Sequence, residues 1–147
     1  MPTDKPIQRG SWGLEVGEPI FLQGHEEEFV KRAEQNPDLD ISDINLRVDH
    51  QTLRRLPVSR GIVFNFKPLF TPFMDFREEP FIPELLLKVL TEGKKSIMDY
   101  KGTVGVEHKV LPTLKEWAEE QRRKGWVPGD WKVRTLEEHP FFPGWRD

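Results

Sequence analysis

The order of residue patterns along the chain predicts an α+β fold, in which an antiparallel sheet is followed by flanking helices. In the first half, apolar residues alternate with polar ones over short stretches, which is the period of a half-buried strand. In the second half, apolar residues recur three or four positions apart, as on one face of a helix. Strands followed by helices are typical of α+β proteins, and a turn-forming cluster at residues 57–61 favours antiparallel pairing of the strands beside it.

The first and third predicted strands have simple patterns. Within residues 7–22, apolar side chains occupy alternate positions from Trp12 to Val16. Residues 61–66 are rich in β-branched and aromatic side chains, which favour strands. The segment that follows, residues 67–80, is rich in proline and phenylalanine, and we expect an ordered loop there.

The second predicted strand begins at Ile44 and alternates regularly as far as Val48. The next leucines, Leu53 and Leu56, are three positions apart, which is not the period of a strand. The change predicts a bulge, or a switch to helical spacing, around Gln51.

Four helices are predicted from apolar stripes of helical period and from the proline and glycine residues that bound them. Proline is well suited to the first turn of a helix, and glycine is frequent just after the last turn. The predicted helices are Glu26–Gln35, Pro83–Glu92, Lys95–Tyr100 and Pro112–Lys124.

Length and composition indicate one domain, with a core at about residues 7–125 and an aromatic-rich tail at residues 126–147 that wraps the surface. The net charge of −3 gives no electrostatic reason to bind nucleic acid. The chain has no cysteine, so disulfides and thiolate chemistry are excluded. No apolar run reaches the roughly 20 residues of a membrane helix, and the N-terminal residues have no signal core, so we expect no membrane partner and a cytoplasmic location.

Standard catalytic and metal-binding motifs are absent from the sequence. The four histidines are widely separated, and there is no HExxH pair, no phosphate-binding loop and no G-x-S-x-G elbow. We therefore expect no metal site made by the protein alone.

One polar cluster interrupts the second predicted strand and is the candidate binding site. If this segment is extended, His50 and Thr52 share the face of Leu46 and Val48, which should be the inner face. Guanidinium groups bind carboxylates through paired hydrogen bonds, so the arginines would suit an anionic cofactor. Two other interpretations remain open: the arginines are solvated or pair with acidic residues, and His50 is a core residue rather than a ligand. We expect at least one of Arg54 and Arg55 to pair with a buried carboxylate. The candidate cofactor-binding residues are Arg47, His50, Gln51, Thr52, Arg54 and Arg55.

The same segment carries a family resemblance. Residues 47–57 read RVDHQTLRRLP and resemble the RVERQTLRRLP signature of proteins related to the α-subunit of haem-dependent oxidative N-demethylase. Residues 8–14, QRGSWGL, resemble that family's Arg-x-Asn-Trp strand. His50 stands where the family signature has arginine, so the resemblance does not make His50 an iron ligand.

The resemblance implies a PAS-like fold, a haem cofactor and the oxidative removal of a methyl group from a small amine. It also implies electron delivery by flavin and iron–sulfur partners. The chain is most similar to the C-terminal part of the domain in fungal-type members, so we expect an incomplete domain that binds haem weakly or not at all by itself. The alternative is a non-catalytic PAS-like sensory or interaction module.

Overall fold

The computed structural model describes residues 2–20, 32 and 34–134, and its elements confirm the α+β class. Three strands precede three helices in the described part of the chain, with short 3-10 helices at Ile41–Asp43 and Phe73–Arg77. The strands and helices are β1 (Ile7–Val16), β2 (Ile44–Arg55), β3 (Ile62–Pro72), α1 (Ile82–Glu92), α2 (Lys95–Lys101) and α3 (Val104–Arg123).

The sheet is antiparallel, with β2 between β1 and β3. Its pairing is continuous along the whole of β2, so the bulge or helical switch that the sequence predicts around Gln51 is wrong. Leu53 keeps the strand period because its side chain lies on the opposite face from Leu46, between Ile7 and Phe64 on the neighbouring strands. Because β2 has apolar neighbours on both faces of the sheet, its leucines can lie on either face without a break in the strand.

The strand β3 is longer than its sequence predicts, because the loop expected at residues 67–80 begins with strand. Pairing continues to Pro72, and the 3-10 helix at Phe73–Arg77 follows at once. Proline is compatible with a strand at an edge, where its missing N–H faces away from the neighbouring strand. Pro68 and Pro72 are in such positions, so they limit further pairing without ending the strand.

The first two helices lie close to their predicted bounds, whereas α3 begins at Val104 instead of Pro112. The expectation that Pro112 starts this helix is wrong, since Pro112 lies in its interior. Burial of Val106, Val110 and Leu114 on one stripe offsets the hydrogen bond that proline removes. The predicted helix at residues 26–35 falls mostly outside the described residues.

The core lies between the helices and one half of the sheet. Ile44, Phe73, Val110 and Leu114 are fully buried, and the Phe73 ring lies 5.7 Å from the ring centroid of Trp117. The other half of the sheet, which we call the distal half, consists of residues 7–10, 50–55 and 62–67 and contributes nothing to this cluster. The sheet is therefore anchored at one end and extends beyond the helices at the other.

The described part of the tail packs on the body. Val127 and Val133 are buried, and the Trp131 ring lies 4.9 Å from the Phe81 ring. The rest of the predicted wrapping tail, residues 135–147, lies outside the described residues. None of the helices that the structure describes is long and apolar enough to span a membrane.

Candidate functional site

The six candidate residues all lie on β2, but the strand divides them between two faces of the sheet. Because side chains alternate along a strand, a run of consecutive polar residues cannot converge on one ligand. Arg47, Gln51 and Arg55 lie on one face, and His50, Thr52 and Arg54 lie on the other. The structure therefore brings together only half of the predicted set on each side.

The first of these faces combines cationic and aromatic groups, and we call it the basic aromatic face. On β1 and β2, Arg9 donates from Nε to Oε1 of Gln51 at 2.6 Å. The Arg9 guanidinium also lies 5.8 Å from the ring centroid of Phe64, within the range of a cation–π contact. Phe64 stacks on Phe66 with the ring centroids 5.9 Å apart. The cationic, amide-bearing and large apolar residues of this face are Ile7, Arg9, Arg47, Gln51, Leu53, Arg55, Ile62, Phe64, Phe66 and Phe70. Asp49 and Glu15 lie on the same side of the sheet, and Asp49 pairs with Arg47.

Arg47 is held by the protein itself. Its Nε donates to Asp49 at 2.9 Å, its Nη1 donates to the Pro19 carbonyl at 2.7 Å, and its guanidinium lies 5.8 Å from the Phe70 ring. These contacts position Arg47 as a brace at the anchored end of the face. The sequence-based assignment of Arg47 to cofactor binding is thus less favoured than that of Arg55.

Arg55 differs from Arg47 because part of its guanidinium is buried without a partner. Its Nε makes no hydrogen bond within the described residues. A buried donor left unpaired costs about 1–3 kcal/mol, so this nitrogen favours an acceptor. Neither Arg55 nor Arg54 forms an ion pair with a described carboxylate. The expectation that one of them pairs with a buried carboxylate therefore stays a prediction, and its acceptor has to come from outside the described residues.

The opposite face of the distal half is polar and open. His50 is exposed between Gly10 and Lys67, and Arg54 is exposed beside Val63. His50 does lie on the same face of the sheet as Leu46, as the sequence predicts. The expectation that it faces the core is wrong, because its side chain is exposed. The helices cover this face only near the start of β2, so the inner face becomes solvent-exposed before His50 is reached.

The family model described as haem-dependent oxidative N-demethylase, alpha subunit-like matches residues 1–111. The chain belongs to this family. The match includes the whole sheet, the first two helices and the first turns of α3. No curated protein matches the chain.

The two motifs on which the family resemblance depends lie on β1 and β2, which pair directly. Arg9 from the first motif and Gln51 from the second are cross-strand partners joined by a hydrogen bond. Arg9 was not among the candidate residues, although the family's Trp-strand motif contains it. Arg9 becomes a candidate residue only when the two motifs are known to pair, because this pairing places it beside Gln51.

Within the described residues, no group of three or more His, Cys, Asp or Glu side chains could hold a metal ion. His108 is on α3, where its Nε2 lies 2.8 Å from the Asn36 carbonyl oxygen. His25 and His139 lie outside the described residues. No described histidine lies on the basic aromatic face of this family member.

A pocket of about 700 Å³ lies at the anchored end of β1 and contains charged groups that the sequence analysis did not single out. Burial raises the pKa of Glu15, and the nearby Arg32 guanidinium, which forms an ion pair with it, only partly offsets this effect. Burial lowers the pKa of Lys101, which donates to the Trp12 carbonyl at 2.5 Å. These groups join β1 to the residues around it, and the sequence gives no spacing that predicts them.

Proposed function

We propose that this chain forms one wall of a haem pocket in an oxidoreductase of the N-demethylase type. The observation that carries the proposal is the pairing of the two family motifs, which places Arg9, Gln51 and Arg55 on one face beside Phe64 and Phe66. Membership of a family named for haem-dependent N-demethylation supports the cofactor. The three-stranded sheet with its helices supports the C-terminal part of a PAS-like domain as the setting.

The basic aromatic face fits the periphery of haem. Haem carries two propionates, which need cationic donors, and a flat ring, which needs apolar surface. Arg55 offers a buried Nε without a described partner, and the Arg9 guanidinium lies on the same face. Phe64 and Phe66 offer stacked rings, each close to half exposed. Haem, when bound, supplies the redox chemistry, and these residues bind and orient it.

The described residues do not offer the iron ligand on this face. His50 is on the other side of the sheet. His108 is on α3, where its Nε2 lies at the Asn36 carbonyl and its buried Nδ1 has no described partner. We therefore assign to the described residues the binding of the propionates and the ring, without a role at the iron. A small amine as substrate, and a flavin or iron–sulfur protein as electron donor, follow from the family resemblance and are part of the same proposal.

A titration of the full chain with haem and its analogues tests this role through binding alone. Metal-free protoporphyrin should bind about as well as haem, because the contacts are to the periphery. The dimethyl ester of protoporphyrin should bind at least about tenfold more weakly, a loss of about 1.4 kcal/mol, because its propionates cannot pair with arginine. Difference spectra of the porphyrin absorption band give both affinities. Because one wall of a pocket should bind a porphyrin only weakly by itself, the test is the ratio of the two affinities, and equal affinity for the acid and the ester would overturn the proposal.

Matched arginine variants locate the contact. Arg55→Ala should weaken protoporphyrin binding about tenfold or more, whereas Arg54→Ala, one residue away on the opposite face, should leave it unchanged. Arg55→Lys keeps the charge but loses the planar fork, so it should bind with intermediate affinity. An equal effect of Arg54→Ala and Arg55→Ala would place the ligand elsewhere.

A non-catalytic interaction module is the second candidate function. It is favoured by the lack of a histidine on the basic aromatic face among the described residues. In that case, neither haem nor protoporphyrin should bind to the full chain.

A further inference from the structure

We propose that the outer edge of β3, from Ile62 to Phe66, pairs antiparallel with the same segment of a second copy of this chain. β3 is an edge strand in the described sheet, since β2 pairs with only one of its sides. An apolar strand edge whose backbone groups are not bonded to a neighbour is a template for another strand. Here the edge lies in the distal half, away from the helices.

The hydrogen-bond phase of β3 shows which backbone groups face outward. The Leu56 amide donates to the Gly61 carbonyl at 2.8 Å, so odd-numbered residues of β3 bond to β2. The even-numbered residues therefore direct their backbone groups to the open edge. Three of them come before the first proline of the strand: Ile62, Phe64 and Phe66.

Two prolines define where this edge can pair. Pro68 and Pro72 have the same outward phase but no N–H to donate, so a partner strand loses hydrogen bonds beyond Phe66. At the other end, Arg60 has a φ of 57° in the hairpin turn, which ends the extended backbone. The part of the edge that can pair with another strand therefore runs from Ile62 to Phe66 and is centred on Phe64.

The segment is complementary to itself in the register centred on Phe64. A two-fold axis there places Phe64 opposite Phe64 of the second copy, and Ile62 opposite Phe66 of the second copy. Aromatic and β-branched cross-strand pairs of this kind stabilise a sheet, and each of the three facing pairs exchanges two backbone hydrogen bonds. Lys67 then faces Gly61 of the second copy, so no like charges meet.

The exposed side chains fit the same arrangement. Ile62, Val63, Phe64 and Phe66 are between 44% and 52% exposed, although all four are apolar. The two-fold register places Ile62, Phe64 and Phe66 beside the same residues of the second copy, as an isologous interface requires, whereas Val63 faces Asn65 of the second copy on the other side of the sheet. Self-complementarity of register and of apolar surface, with no like charges face to face, is the reason for assigning the edge to a second copy instead of an unrelated strand.

Sedimentation equilibrium of the full chain tests the proposal. The parent should sediment at twice the monomer mass. Phe64→Lys sets two lysines face to face on the axis and should give a monomer, whereas Leu69→Lys, equally exposed on β3 but outside the paired segment, should remain a dimer. A mixture of Phe64→Lys and Phe64→Glu should recover the dimer. A monomeric parent, or dimeric Phe64→Lys and Phe64→Glu proteins when each is measured separately, would overturn it.

Cross-linking tests the register without disturbing the apolar edge, because the chain has no cysteine of its own. Val63 faces Asn65 of the second copy at a non-hydrogen-bonded pair, where Cα atoms lie about 4.5 Å apart and a disulfide can form. A mixture of Val63→Cys and Asn65→Cys should cross-link on mild oxidation, seen as a doubled mass that a reductant abolishes. Asn65→Cys mixed with Leu69→Cys should not. Equal cross-linking in both mixtures, or none in either, would overturn the register even if Phe64→Lys fails to fold.

Discussion

Two adjacent arginines, Arg54 and Arg55, have different environments because consecutive residues of a strand face opposite sides of the sheet. Arg54 is exposed, whereas Arg55 has a buried nitrogen without a described partner. The sequence marks both equally, since both belong to the same family motif. Strand phase separates a residue with a buried, unpartnered nitrogen from one that faces water, and this phase depends on a continuous register that the sequence does not reveal.

Gln121 shows the opposite situation, a buried polar side chain with every group in use. Its Nε2 donates to the carbonyls of Arg77 and Glu79 at 2.9 and 3.0 Å. Its Oε1 accepts from the Phe81 amide at 3.1 Å. Phe81 has a φ of 76°, which is uncommon for a residue with a side chain, so Gln121 helps to hold a strained turn before α1.

Replacing Gln121 with leucine should destabilise the protein by about 2–4 kcal/mol. The leucine matches the volume but leaves the Phe81 amide and the Arg77 carbonyl without partners, and each unpaired buried group costs about 1–3 kcal/mol unless water reaches it. The Glu79 carbonyl still accepts from the Ile82 amide at 3.3 Å. Urea denaturation measures the change. Glu119→Ala, an exposed position on the same helix, is the control and should change stability by no more than about 0.5 kcal/mol. A Gln121→Leu protein as stable as the control would show that the turn does not depend on this side chain.

At the scale of elements, the sequence predicted the three strands and three helices in outline and missed parts of β3 and α3. α1 and α2 appear within a residue of their predicted bounds because apolar period, Gly93 and Gly102 agree. The later part of β3 was missed because its prolines suggest a loop, and their tolerance depends on β3 being an edge. The position of β3 at the edge depends on how the strands are ordered in the sheet, which the sequence of this segment alone does not reveal.

The start of α3 was missed for a related reason. Proline is frequent in the first turn of a helix, so Pro112 suggested a beginning. Tertiary packing of Val106 and Val110 extends the helix before it. Local rules therefore located the helix and misplaced its boundary.

Pro112→Ala should stabilise the protein by about 1–3 kcal/mol. Proline in a helix interior is about 3 kcal/mol less favourable than alanine, and relaxation of the surrounding turn reduces the gain. Pro112 is exposed, so the change removes no core contact. Thermal and urea unfolding measure the effect, with Lys115→Ala, exposed on the same helix, as the control. A destabilised Pro112→Ala protein would indicate that the proline fixes a bend that the packing needs.

At the scale of the whole molecule, an anchored body supports a sheet that extends beyond it. The start of β2 is buried under the helices, whereas the distal half has side chains open on both faces. Both proposals of function use this distal half: the basic aromatic face for the porphyrin, and the β3 edge for a second copy. The candidate site could not be predicted as a whole, because its residues come from three strands and are related only by register.

Hydrogen exchange along β2 should reveal this division. The amides of Leu46, Val48, Thr52 and Arg54 all bond to β3, so they differ only in how the surrounding sheet is packed. At protein concentrations where the chain is monomeric, Thr52 and Arg54 should exchange at least about tenfold faster than Leu46 and Val48, because a difference of 1.4 kcal/mol in opening free energy gives that factor. Residue-resolved NMR measures the rates. Equal protection in both pairs would mean that the distal half opens only when the whole molecule unfolds. The distal half would then be as stable as the anchored end of the sheet.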